Sequence, residues 1–136
     1  MDISRKVKEL ISYHSGVKLE KLLDSDFVEE DLGTTGDDAW ELMEDLQSKF
    51  KVDLTEFNFD LHFGPEVGSQ VSRDYGFYPV SVGHLVEVAR KQKWVVPEKN
   101  EGNYARTQKA RKKWKLVKIL LIAASICLGI AWSYIN

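Results

Sequence analysis

At 136 residues and 43% hydrophobic, the chain has room for one modest domain and an additional segment, and its single cysteine, Cys127, excludes an intrachain disulfide. The formal charge of −2 conceals an asymmetry: twelve cations stand against all 21 acids up to Glu101, a net −9, while seven cations and no acid occupy Arg106 to Lys118. An acidic globule repels phosphates, which argues against nucleic acid as its ligand, and the opening Met1-Asp-Ile-Ser-Arg-Lys lacks the apolar stretch of a secretory signal.

In chain order, Asp2 is placed to cap a first helix whose apolar stripe is Ile3, Val7, Leu10 and Ile11, ending near His14 to Gly16. Val17, Leu19, Leu22 and Leu23 read as anchors of a connecting loop, and Phe27, Val28 and Leu32 as inward residues of the polar loop from Asp24 to Gly33. A second helix is predicted from about Gly36 to Phe50, with Ala39, Leu42, Met43, Leu46 and Phe50 on one face. Thr35 is its expected cap, with Asp38 in the reciprocal position of a capping box. Asp37, Asp38, Glu41, Glu44 and Asp45 make its outer surface strongly acidic.

The alternation of Phe57, Phe59, Leu61 and Phe63 with polar residues fits a short half-buried strand, with a helical turn as the alternative. Gly64 to Pro79 reads as a long loop. Ser81 is placed to cap a last helix of the domain, with Val82, Leu85, Val86 and Ala89 inward, an end near Trp94, and Pro97 as a stop. The predicted organisation is a domain over 1–96, a polar linker without periodicity over 97–108, a basic segment over 109–115 and a membrane-spanning helix over 116–135.

Leu116 to Ile135 carries one charge, Lys118, and as a helix covers about 30 Å, the thickness of a hydrocarbon core. Arg111, Lys112, Lys113, Trp114, Lys115 and Lys118 mark one membrane interface, and Trp132 and Tyr134 the other. Basic residues precede the span and none follows it, so the domain is expected in the cytoplasm and Asn136 across the bilayer, as a single C-terminal anchor. Orientation is the first reading of this basic cluster, and binding of anionic headgroups the second. Ser125, Gly129 and Ser133, at four-residue spacing, offer a close helix–helix contact for a homodimer.

Phe27-Val-Glu-Glu-Asp-Leu-Gly, followed by Glu41-Leu-Met-Glu-Asp-Leu-Gln-Ser-Lys-Phe, resembles the acyl carrier proteins over roughly residues 3 to 94. A more specific resemblance is to a bacterial family of unknown function with an acyl-carrier-like fold. It rests on Gly36-Asp-Asp-Ala39, Phe50-Lys-Val-Asp-Leu54, the Phe57/Phe59/Phe63 series and Leu85-Val-Glu-Val-Ala89 followed by Trp94. The resemblance implies a mainly α fold: an acyl-carrier-like helical bundle with a short strand or irregular third element, besides the membrane helix. In carriers a serine at the start of the second helix holds phosphopantetheine. The matching position here is Gly36, which has no oxygen to esterify, and Thr34 and Thr35 are out of register. The resemblance also implies that an acidic second helix docks on basic partner surfaces, here through Asp37, Asp38, Glu41, Glu44 and Asp45.

No catalytic constellation is present in the sequence, so no enzymatic activity, cofactor or metal is expected. His14, His62 and His84 lie far apart. Asp60 and His62 would share one face of a strand as two metal ligands, without a third. The expected function is that of a membrane-anchored adaptor or regulator, its partners the basic surface of a protein and the membrane lipids, at a bacterial inner membrane. The alternative is an acyl carrier or lipid-metabolism accessory protein with a different attachment residue.

Overall fold

The computed structural model describes residues 2–64 and 72–135. Helices dominate: α1 (Ile3–Ser15), α2 (Gly36–Phe50), α3 (Phe59–His62), α4 (Val82–Lys91) and α5 (Glu101–Ile135), with a 3-10 turn at Leu19–Lys21. Among the described residues there is no strand, only isolated bridges between Phe27 and Ser81 and between Asp53 and Lys93.

Local chemistry sets most helix ends. Asp2 accepts the Ser4 amide and Ser81 accepts the His84 amide, each satisfying a donor that the first turn would otherwise leave open. Gly16 closes α1 at a φ of 73° and returns its amide to the Ser12 carbonyl. Thr35 behaves otherwise than expected. It occupies the cap position of α2, but its hydroxyl makes no capping bond and is donated to Glu29 instead, at 2.6 Å. α4 stops at Lys91, ahead of Trp94 and Pro97, because Gln92 turns left-handed with a φ of 53°.

α1 packs against both α2 and α4. Val7, Leu10 and Ile11 meet Ala39, Leu42, Met43 and Leu46 from α2 and Val82, Leu85, Val86, Val88 and Ala89 from α4 in one buried cluster. Fully burying each of the valine, leucine, isoleucine and methionine side chains contributes about 1.5–3 kcal/mol before the entropy of ordering is counted. Val28 and Leu22 close the cluster from the loop, while Leu23, expected as an anchor, is exposed.

The expected strand is a single helical turn. Asn58 accepts the Asp60 amide and starts α3, and Phe57, Phe59, His62 and Phe63 gather with Trp94. Phe59 and Phe63 lie on one side of a helical turn by their four-residue spacing, so an aromatic series at steps of two and four satisfies either period. Residues 65–71 of the expected loop lie outside the described residues; the return from Ser72 to Pro79 is a run of turns.

The expected linker is also different. Residues 97–100 have no regular structure, but helix begins at Glu101 and runs unbroken to Ile135. Asn100 caps it by accepting the Asn103 amide at 2.8 Å. Asn103 is buried and donates to the Gly76 carbonyl at 2.8 Å and to Glu30 at 3.1 Å, while its own oxygen accepts from Arg106. Tyr104 stacks flat on Phe77 at 3.6 Å between ring centres, and Lys99 lies over the same Phe77 ring. Gln108 donates to the Tyr75 carbonyl at 3.4 Å. The base of α5 is thus docked on the globule through hydrogen bonds and stacked rings.

Candidate functional site

The amphipathic pattern of α2 puts its apolar stripe into the core and turns the remaining residues outward. Asp37, Asp38, Glu41 and Glu44 are exposed. Asp45 is separated from them in role: it is half-buried and bonded to the ring of His14, Nε2 to Oδ2 at 2.9 Å, which fastens α2 to α1. Glu44 accepts the indole N–H of Trp40 at 2.9 Å. Among the described residues, Asp37, Asp38 and Glu41 have neither a cation nor a hydrogen-bond donor at their carboxylates. Lys49 lies at the far end of the helix. Repulsion between these acids costs α2 some stability in isolation.

Trp40, which the acidic pattern alone did not single out, stands among them. It is 50% exposed and meets Phe59 edge-on at 5.3 Å. Its signal in the sequence was an indole at a position where the apolar period calls for a polar residue.

The start of α2 is a second feature. Gly36 has a φ of 55°, a left-handed conformation that a side chain would strain. A carboxylate closes off the region beside it. Glu29 accepts the Thr35 hydroxyl at 2.6 Å, the Gly64 amide at 2.6 Å and the Tyr75 hydroxyl. Burial and the adjacent Glu29 carboxylate push the Tyr75 phenol well above its ordinary range, so it remains a neutral donor. These four residues span 47 positions of sequence and share no motif, so spacing could not have revealed them.

His62 and His84 are engaged in packing and hydrogen bonds. Asp60 and His62 do not share a face, since two residues in a helical turn point to nearly opposite sides. Asp60 is exposed, while His62 is buried, stacks on Phe57 and is bonded through Nδ1 to the Tyr78 carbonyl at 2.9 Å. His84 is bonded through Nε2 to the Val95 carbonyl at 2.7 Å. Burial lowers the pKa of both below that of a free histidine. Among the described residues no group of three or more His, Cys, Asp or Glu could hold a metal ion.

On α5, Arg111, Lys112, Lys113, Trp114, Lys115 and Lys118 are exposed at one end of the apolar stretch, and Trp132 and Tyr134 at the other. α5 is long and apolar enough to cross a membrane, and none of its apolar window is buried. Ser125, Gly129 and Ser133 are exposed along it, with both hydroxyls bonded back to carbonyls of the same helix.

These features define a class: a mainly helical acidic globule carried on a long apolar helix that is compatible with a membrane anchor. Residues 1–96 match the family described as "Protein of unknown function (DUF1493)", and since they make up most of the chain, it belongs to that family. No curated protein and no solved structure matched it.

Proposed function

We propose that the protein is a membrane-anchored, non-enzymatic interaction module. An acyl-carrier-like globule is held at the cytoplasmic side of the bilayer by α5 and presents the outer face of α2 to a basic protein surface. The observation that carries this reading is the exposure of Asp37, Asp38 and Glu41, without cationic partners among the described residues, around the half-exposed Trp40. Unpaired charges supply steering and selectivity, and a partly exposed indole supplies an apolar anchor, the combination that recurs at protein interfaces. Glu44, tied to Trp40, sets the indole's direction, and Asp45 contributes by fixing α2 to α1.

The test is site-specific photocrosslinking in intact cells from position 41 of the full-length chain. Discrete adducts are expected, and they should disappear when Asp37 and Asp38 are both replaced by Lys. Adducts unchanged by that charge reversal would refute the reading.

One observation favours a second function, that of a carrier with another attachment residue. Thr35, directly before Gly36, is exposed and has a hydroxyl hydrogen-bonded to a carboxylate. That bond would support proton removal from the hydroxyl. Intact mass after co-expression with a phosphopantetheinyl transferase separates the two: an unchanged mass supports the interaction module, and an added arm lost on Thr35→Val supports the carrier.

A further inference from the structure

We propose that the foot of α5 is a binding site for anionic lipid headgroups, a property beyond the orientation it imposes; the inference rests on the membrane-anchored part of the reading above. Six cations, Lys109, Arg111, Lys112, Lys113, Lys115 and Lys118, are exposed on one unbroken helix. No acid follows Glu101, so none has a carboxylate within four residues along the helix, and among the described residues no ion pair involves any of them. Among the described residues, Arg111 alone of the six has a side-chain hydrogen bond, to Gln108 at 3.4 Å.

Their arrangement identifies the ligand. At 3.6 residues per turn the six point at bearings of about 0°, 200°, 300°, 40°, 240° and 180° in chain order, and Trp114 at about 140° stands in the widest gap. A helix lying on a membrane, or docked on one protein, needs its cations on a single face. A collar of cations over about 220° of the circumference, with Trp114 in the gap, is wider than one face and fits a helix that passes upright through a layer of negative charge. The collar rises about 14 Å along the axis, against about 5–8 Å for one headgroup layer. Its lower residues therefore lie within that layer and its upper ones just above, where long basic side chains reach back to phosphate. Continuity with the exposed apolar stretch below places lipid, and not a soluble anion, as the neighbour.

The experiment places full-length protein in nanodiscs of phosphatidylcholine and phosphatidylglycerol and measures, with chain-spin-labelled forms of each, which lipid is immobilised beside the protein. Nanodiscs expose both faces, so orientation plays no part. Phosphatidylglycerol is expected to be preferred about fivefold at low salt, the strength of one headgroup–cation contact. The preference should collapse towards equality in 1 M salt, of order the concentration at which the Debye length is about 3 Å, and in the Lys112→Gln/Lys113→Gln/Lys115→Gln variant. Those residues make no hydrogen bond or ion pair with the globule among the described residues, so the variant keeps the fold. Equal shells for the intact protein, or a preference that survives in the variant, would overturn the proposal while leaving the anchor standing. Equal shells together with salt-sensitive dimers that need the same lysines would assign the collar to the acidic face of a second copy instead. Failure to enter nanodiscs at all would overturn both the collar and the anchor.

Discussion

On the acyl-carrier-like reading proposed above, Gly36 shows how one residue can exclude a chemistry twice. It lacks the hydroxyl that a carrier esterifies, and its φ of 55° disfavours any side chain in its place. Gly36→Ser should therefore destabilise the globule by about 1–2 kcal/mol, lowering its thermal midpoint by roughly 4–8 °C per kcal/mol for a domain of this size. Circular dichroism of the detergent-solubilised protein would read this, and an unchanged midpoint would mean that residue 36 does not hold the left-handed conformation. His62 and His84 give a second test at this scale. Burial disfavours the charged form of both when folded and lowers their pKa below the 6.5 of a free histidine. As pH falls below about 6.5 the unfolded chain takes up protons before the folded one does, so stability present above that pH is lost on acidification. The midpoint at pH 5.5 should lie below that at pH 7.5, and His62→Asn, which retains a donor for the Tyr78 carbonyl, should reduce the difference.

Among the elements, the base of α5 departs furthest from expectation. It is joined to the globule at Gly76, where the turn has a φ of 103° and an added Cβ would stand 2.8 Å from Cβ of Thr107. Gly76→Ala should push α5 away and leave Asn103 without its carbonyl partner, a cost of about 1–3 kcal/mol. Hydrogen exchange of amides 101–108 should then accelerate about tenfold or more. Gly102→Ala, which meets only Asn100 Oδ1 at 3.5 Å, should slow it. Equal exchange in the two variants would contradict the docking. The sequence concealed this contact because Asn103, Tyr104, Thr107 and Gln108 form a stripe that is polar, and apolar periodicity is blind to a helix held by hydrogen bonds and ring stacking. By contrast α1, α2 and α4 were readable, since Asp2, Gly16 and Ser81 mark ends and the apolar residues recur at helical spacing. α3 was ambiguous because its phenylalanines satisfy both periods. The Glu29 cluster joins residues 29, 35, 64 and 75, a juxtaposition that only tertiary structure creates. The acidic face was legible as a set of residues, but the withdrawal of Asp45 to His14 depends on how α1 crosses α2.

At the scale of the molecule, the charge asymmetry acquires a geometry. Gln108, the last residue of α5 bonded to the globule among the described residues, precedes Leu116 by eight positions, about 12 Å of helix. That exceeds the Debye length of about 8 Å at physiological salt. In the proposed anchored state the globule's acids would be partly screened from an anionic bilayer, with the basic collar between the two. A flexible linker would leave this spacing free; a docked helix sets it. The account as a whole requires α5 to be embedded in lipid, and alkaline carbonate extraction of membranes from cells expressing the full-length chain measures that directly. The protein should remain in the membrane pellet at high pH, where peripheral proteins are released. Its recovery in the supernatant would contradict the account.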